Sequence, residues 1–302
     1  MLTFFTTAKA FLRHDGVIQR NALASWKRLD PDIEVILFGD DAGAAEACAE
    51  MGLRHEPEVT RHESGAKYLH SIFKRAQEIA RHDYLCFSNC DIVLTQDFRR
   101  ACENARAWRQ KFLLVARRWD VDITEPIDFE NAQWARDIRE FALTKGFRQD
   151  ESWIDFFVFR KGMYADMPPM IVGHCYWDNW MIWRALKDGA PVVDGDRFVV
   201  PVHQNHGYNS KYGRAKGIPT DALSQLNLRT IGGETHVRRI DAATHRMTND
   251  GRIRRVFIRN TYKFRETLTY KVWLPAWHGF LGLTRPVRSA LGLRSKVSRS
   301  DI

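Results

Sequence analysis

Three short stretches carry side chains suited to holding a cation or moving a proton. Asn89-Cys90-Asp91 follows an apolar run. A carboxylate just past a strand end can hold a divalent ion against a diphosphate. Mg2+ and Mn2+ both prefer oxygen ligands, and Mg2+ usually takes one or two carboxylates beside phosphate oxygens. The plain alternative is an Asn/Asp turn that closes a strand. His203-Gln204-Asn205-His206 follows a second β-rich run. Two imidazoles three residues apart can offer metal ligands from a loop, or can be surface histidines. Trp177-Asp178-Asn179-Trp180 sets a carboxylate just before a helical run. Asp178 reads either as a helix cap or as a base for a substrate hydroxyl, and it could serve as both. Asp155 stands at the edge of the apolar run Trp153–Phe157. An isolated buried carboxylate is costly, so it needs a partner or a task.

The elements that must position these groups alternate in type. Leu2–Thr6 reads as a strand, and Asn21–Leu29 as a helix stopped by Asp30-Pro31. Ile33–Phe38 is β-rich. Ala42–Met51 is Ala/Glu-rich and helical, with Gly52 as its C-cap. In Ala66–Ala80, residues Leu69, Ile72, Phe73, Ala76 and Ile79 have the spacing of one buried helix face. Tyr84–Phe87 is a short strand. This order predicts a parallel sheet with right-handed crossovers. Ligands bind beyond the carboxyl ends of such strands, which points to Thr6-Thr7, Asp40-Asp41 and Asn89–Asp91. Further on, Phe112–Ala116, Phe156–Phe159 and Arg197–Val202 read as strands, and Asn179–Leu186 as a helix.

Composition bounds what such a chain can be. Its 302 residues, 44% of them apolar, suffice for one α/β domain of roughly 200–250 residues plus an extension. The opening MLTFFTTAKAF lacks a basic region followed by a long apolar one, so no secretory signal is expected. No run approaches the ~20 apolar residues of a membrane span. Five cysteines without a CxxC pair read as buried thiols in a reducing cytosol. Charge is uneven: residues 235–302 hold 15 Lys/Arg against 4 Asp/Glu, and the first 234 hold 31 against 33. A near-neutral body with a basic tail suggests chemistry in the one and attachment in the other. Trp273, Trp277 and Phe280 stand among the basic residues of Tyr262–Leu283. That mixture fits an anionic membrane surface, or a helix docked on the body. No nucleic-acid motif is present, so no nucleic-acid partner is expected.

With these residues assembled, the chain resembles nucleotide-sugar glycosyltransferases of the GT-A type, and more narrowly a group of bacterial glycosyltransferase-like proteins. The resemblance rests on GVIQRNALASW (16–26), EVILFGDD (34–41), SNCDIVL (88–94), RRWDVDITEPIDF (117–129), WIDFFVF (153–159), WDNWMIWRA (177–185) and PVHQNHGY (201–208). It covers roughly residues 1–250. It implies an α/β fold, a Rossmann-like mixed sheet flanked by helices, over 1–250, with a basic extension over 251–302. Thr6, Thr7 and Ala8 would line the base pocket, and Asp40 would stand near the base or ribose. Lys67 would meet the diphosphate, unless it is a plain surface lysine. Asn89 and Asp91 take the place of the DXD motif, with Asp91 the one remaining acid. His203 or His206 would be the further ligand of Mn2+ or Mg2+. Asp178 falls where inverting members keep a catalytic carboxylate, with Asp155 as the second candidate. The HxxGxxK ending of glycogenin-type enzymes is not matched, so their retaining chemistry is not adopted.

The resulting expectation is transfer from a nucleotide diphosphate-sugar donor to a glycan or lipid-linked acceptor. It would take place in the cytoplasm or on the inner face of the cytoplasmic membrane, in cell-envelope polysaccharide or glycolipid synthesis. Alternatives are an inactive nucleotide-sugar-binding protein, which Asn89 would suit, and a nucleotidyltransferase. A zinc hydrolase using His203 and His206 lacks a clear third ligand. Arg117 and Arg118 fit surface ion pairs better than a phosphate grip, and Trp153, Trp177 and Trp180 suit either core or sugar stacking.

Overall fold

The computed structural model describes residues 2–206 and 219–256. Most of the extension expected over 251–302 lies outside the described residues, as do the tryptophans of its basic run.

Thirteen strands and seven α-helices are described. In chain order they are β1 (Thr3–Thr7), α1 (Arg13–Lys27), β2 (Glu34–Phe38), α2 (Ala44–Met51), β3 (Arg54–Glu56), α3 (Leu69–Ile79), β4 (Tyr84–Ser88), β5 (Ile92–Val93), α4 (Gln96–Trp108), β6 (Leu113–Val115), β7 (Trp119–Val121), α5 (Trp134–Lys145), β8 (Phe147–Arg148), β9 (Phe156–Arg160), α6 (Trp177–Lys187), β10 (Val192–Asp194), β11 (Val202–Gln204), α7 (Ala222–Thr230), β12 (His245–Met247) and β13 (Ile253–Arg255). Nine strands form one sheet in the order β13-β12-β10-β6-β9-β4-β1-β2-β3, and β5-β11-β7-β8 form a second. The expected class, a mixed α/β sheet flanked by helices, is the one observed.

The central strands are buried almost throughout because both faces are covered. On one face Phe4 stacks on Trp26 of α1 at 4.9 Å and meets Phe98 of α4 at 5.5 Å. On the other, Phe5 packs edge-on against Phe73 of α3 at 4.8 Å. Strands β1, β2 and β4 run parallel, as their alternation with helices requires. Strand β9 lies antiparallel between β4 and β6 and makes the sheet mixed. Its first residues therefore start at the end where β4 finishes, which brings Asp155 beside Asn89: Asn89 N–H donates to the Asp155 carbonyl at 2.9 Å.

Three expected boundaries shift, each for a local reason. Helix α1 starts at Arg13, eight residues before Asn21, with no side-chain cap and with Arg13 in left-handed conformation. Such a start carries no sequence signal of the Ser/Thr/Asp kind. Residues 66–68 do not join α3. Lys67 and Tyr68 are extended and make bridges to Arg61 and Ile171. The strand expected over Arg197–Val202 begins only at Val202. Before it Gly195 accepts from the amides of Phe198 and Val199, closing a turn. His203 and Gln204 thus belong to β11 and do not follow it.

Candidate active site

The candidate cation ligands come together from the turn after β4, from β11 and from the loop that follows it. Asp91 lies in the turn between β4 and β5. His203 lies in β11, which pairs with β5, and His206 follows two residues after β11 ends. Gln204, between the two histidines, does the joining. Its amide N–H and its side-chain Nε2 both donate to the Asp91 carbonyl at 3.2 Å, and Nε2 also donates to the Ile18 carbonyl at 2.8 Å. It also accepts from Asn21 Nδ2 at 2.8 Å, which completes its ties to α1.

The three ligand groups then face one another. Asp91 Oδ2 is 3.1 Å from His206 Nε2 and 3.7 Å from His203 Nε2. One ligand atom from each of Asp91, His203 and His206 lies within 4.8 Å of the others. His203 is 1% exposed, so it is no surface histidine. Asp91 Oδ1 is buried and accepts no hydrogen bond among the described residues. An acceptor left so is costly without a ligand. These residues fit a divalent ion: two imidazoles, one carboxylate, and an oxygen still to be satisfied. Burial would raise the Asp91 pKa, but the imidazoles of His203 and His206 and the Arg118 guanidinium override it. The carboxyl is held well below the usual range. Asp91 also supplies the third ligand that the zinc-hydrolase reading lacked.

A cavity of about 630 Å3 opens on this corner. Its wall includes Thr7, Ala8, Lys67, Asn89, Asp91, Arg118, Trp153, Asp155, Asp178, His203 and His206. Lys67 is 5% exposed, not a surface lysine. Its Nζ donates to the Ala8 carbonyl at 2.6 Å and pairs with Asp41. Burial lowers its pKa, and the Asp41 carboxylate works against that. Arg118 is also 5% exposed and is no surface ion pair. It bridges Asp155 Oδ2 at 3.0 Å and Asp120 Oδ1 at 2.8 Å, with the Trp153 ring 4.4 Å away. Arg117 is held instead by Asp196 at 2.6 Å and Glu151 at 3.3 Å.

Asn89 has a specific neighbour: its Nδ2 donates to Asp155 Oδ1. An aspartate at 89 would set two carboxylates against each other, so a neutral amide at this position matches the presence of Asp155. Asp155 is therefore partnered on both oxygens, by Asn89 and by Arg118.

Asp178 sits differently. It is the second residue of α6, inside the first turn, and is not the cap. The cap position is Tyr176, in left-handed conformation at φ 84°. Asp178 Oδ1 accepts its neighbour's amide, that of Asn179, at 2.8 Å. Desolvation pushes its pKa up to about 7, and the charge of Asp155 adds to the rise. A carboxyl poised there can take or give a proton near neutral pH.

Two expected site residues stand apart. Thr6 is fully buried, and its hydroxyl donates to the Ser88 carbonyl at 2.6 Å, tying β1 to β4. Asp40 is exposed, pairs with Arg61, and borders a separate hollow with Glu56 and Arg75. The next residue, Asp41, is the one that reaches Lys67. Trp180 is buried in the core at 2% exposure, Trp177 is buried at 5% yet lines the cavity, and Trp153 is half-buried on the same wall. The residue that sequence reasoning undervalued is Asp120. Its Oδ1 lies 3.1 Å from His203 Nδ1, and its Oδ2 accepts from Gln149 Nε2 at 2.6 Å. Burial raises its pKa, but His203 and Arg118 hold it below the usual range.

No protein-family model and no curated protein sequence matches the chain. Solved structures with a similar fold include residues 1–349 of S. aureus TarS in complex with UDP-GlcNAc. The identity is 12%, over 68% of this chain and 59% of that one, with a TM-score of 0.45. Another is Mycobacterium tuberculosis glucosyl-3-phosphoglycerate synthase in complex with Mg2+ and UDP, at 13% identity. That match covers 68% of this chain and 72% of that one, with a TM-score of 0.42. The chain thus spans 59% of the TarS fragment that it matches.

Proposed function

We propose that this cavity is the active site of a GT-A type glycosyltransferase. Its donor would be a nucleotide diphosphate-sugar, and its acceptor a hydroxyl of a glycan or lipid-linked molecule. One observation carries the reading. A single cavity holds three cation ligands, two buried cationic side chains and, elsewhere on its wall, a carboxyl with a pKa near 7.

Asp91, His203 and His206 would hold Mn2+ or Mg2+, and the bound ion would offset the charge developing on the leaving diphosphate. Lys67 and Arg118 favour the same anionic group. That preference for a diphosphate turns the choice away from a simple metal hydrolase. Thr7 offers a buried hydroxyl oxygen with no hydrogen-bond partner among the described residues, and with Ala8 it suits the wall against the nucleoside. Asp178 takes the proton of the acceptor hydroxyl, so attack from the opposite face inverts the anomeric centre. Asp155 is the weaker candidate for base, because both its oxygens are already partnered. It acts instead through its charge, which raises the Asp178 pKa. Asn89 gains a reason for being neutral, and so no longer favours an inactive binding protein.

The test is a thermal-shift panel of nucleotide diphosphate-sugars with and without Mn2+, followed by assay of donor turnover. A bound donor raises the melting temperature by mass action. No shift with any such donor, at concentrations to the millimolar range, sinks the reading. The basic segment from about residue 260 is proposed to rest on anionic membrane lipid, which suits a lipid-linked acceptor. Flotation with phosphatidylglycerol vesicles should carry the full chain and leave behind a chain ending near Asn260. Equal partition removes that part.

A further inference from the structure

The corner around His203 contains more than three ligands. Strands β7 and β11 run parallel in a register that sets Asp120 directly opposite His203. The Asp120 carboxylate meets His203 Nδ1 at 3.1 Å, while His203 Nε2 faces Asp91. Asp120 is itself held from two further sides, by Arg118 Nε at 2.8 Å and by Gln149 Nε2 at 2.6 Å. A metal-binding histidine whose second nitrogen donates to a carboxylate is fixed in tautomer and ring angle, and its free nitrogen becomes more basic.

We propose that Asp120 is the positioning residue of a preformed transition-metal site, which loads its ion before and without the nucleotide. The inference rests on the reading of this cavity as metal-assisted, but it does not need a sugar donor. Two physical points carry it. The first is preorganisation. Three protein ligands already converge; Gln204 fixes the backbone of Asp91 through two hydrogen bonds, and the Asp120 carboxylate stands 3.1 Å from the second ring nitrogen of His203, in reach of its N–H. A site with a single carboxylate must await the diphosphate to complete its shell. This one begins with three donors. The second is donor chemistry. Mg2+ keeps oxygen ligands and several waters, whereas imidazole suits zinc and the later divalent ions best and Mn2+ tolerably. Two imidazoles therefore select against Mg2+. The neutral Asn89 agrees with this, since among the described residues Asp91 is the carboxylate that meets both imidazoles from the ligand side.

The experiment is a calorimetric titration of the full chain with MnCl2, and separately with MgCl2, in the absence of any nucleotide. One Mn2+ per chain is expected, with Mg2+ at least tenfold weaker. Asp120→Asn should weaken Mn2+ by about 10–100-fold with the circular dichroism unchanged. Co2+ supplies a readout that a merely structural role would not move. Its visible bands in the wild type should shift in Asp120→Asn. Lack of Mn2+ binding without nucleotide overturns the proposal, as does wild-type affinity in Asp120→Asn. If that variant does not fold, Asp120→Glu takes its place. The longer carboxylate must displace the imidazole and shift the cobalt bands, and an unchanged spectrum overturns the role. Donor binding is measured apart from this. A chain that binds Mn2+ but no nucleotide sugar would keep this inference and lose the functional reading.

Discussion

Two regions of one cavity treat a carboxylate in opposite ways. In the corner formed by the turn after β4 and by β11, Asp91 is surrounded by imidazoles and a guanidinium, and its pKa is driven down. At the start of α6, Asp178 is partly desolvated and meets no cation in direct contact among the described residues, and its pKa rises to about 7. The first environment is braced by strand register and by Gln204. The second hangs on a helix start whose cap residue has left-handed backbone. Divergent carboxylates of this sort assign their own roles: the permanently ionised one suits a cation, and the one near neutrality suits a proton.

The largest expected effect breaks the comparison at the proton end. Asp178→Asn should lower turnover by about 10²–10⁴-fold, the usual contribution of a general base, with donor affinity unchanged. The wild-type rate should rise with pH through the region near 7, where Asp178 ionises, and the variant should lose that limb. Stability carries the same signature. The folded pKa lies above the ordinary aspartate value of 3.8, so stability falls as pH rises between the two values, and Asn should remove the fall. Stopped-assay rates and melting curves across pH 5–9 check both. An intact rate in Asp178→Asn ends the assignment.

At the cation end, Asp91→Ala removes an inner ligand. It should cost more than the ~10–100-fold that outer-shell changes cost in metal affinity. Calorimetry with UDP and Mn2+ should show binding lost, while UDP without metal is unaffected. Equal binding by variant and wild type would detach the triad from the nucleotide.

The same contrast governs what the sequence revealed. Strands β1, β2, β4 and β9 were legible because they are covered on both faces and so read as short runs rich in apolar and β-branched residues. Two- and three-residue strands such as β5, β7 and β8 are too short to display a period. Helix α4 buries Phe98, Ala101, Cys102 and Ala105, a helical spacing that was there to be found. Asp91, His203 and His206 were legible as residue types. Their closeness is set by pairing between distant segments. Asp120 needed the β7–β11 register before its carboxylate could be assigned to His203. Asp40 and Asp41 differ by one place in a turn, and only the fold shows that the second reaches Lys67. Asp178 was legible as an acid near a helix start, but its altered pKa was not, since desolvation depends on what the whole chain packs around it.

The smallest effect sharpens the comparison where the backbone is strained. Tyr176, at φ 84°, adopts a conformation that costs a non-glycine residue roughly 1–2 kcal/mol. Strain of this kind persists where the surroundings over-determine it, often at functional sites. Tyr176→Gly relieves the clash but loses about 0.5–1 kcal/mol to the greater freedom of the unfolded glycine. The melting temperature should therefore stay level or rise by a few degrees. If the strained cap serves to aim Asp178, turnover should drop several-fold in the same variant, with Mn2+ affinity unchanged because the other corner is braced independently. Arg13→Gly provides the control. Arg13 is also left-handed, at φ 49°, but does not line the cavity. Its glycine variant should show the same stability change with full turnover. Equal turnover in the two variants would mean that the bent entry to α6 is only a feature of chain routing.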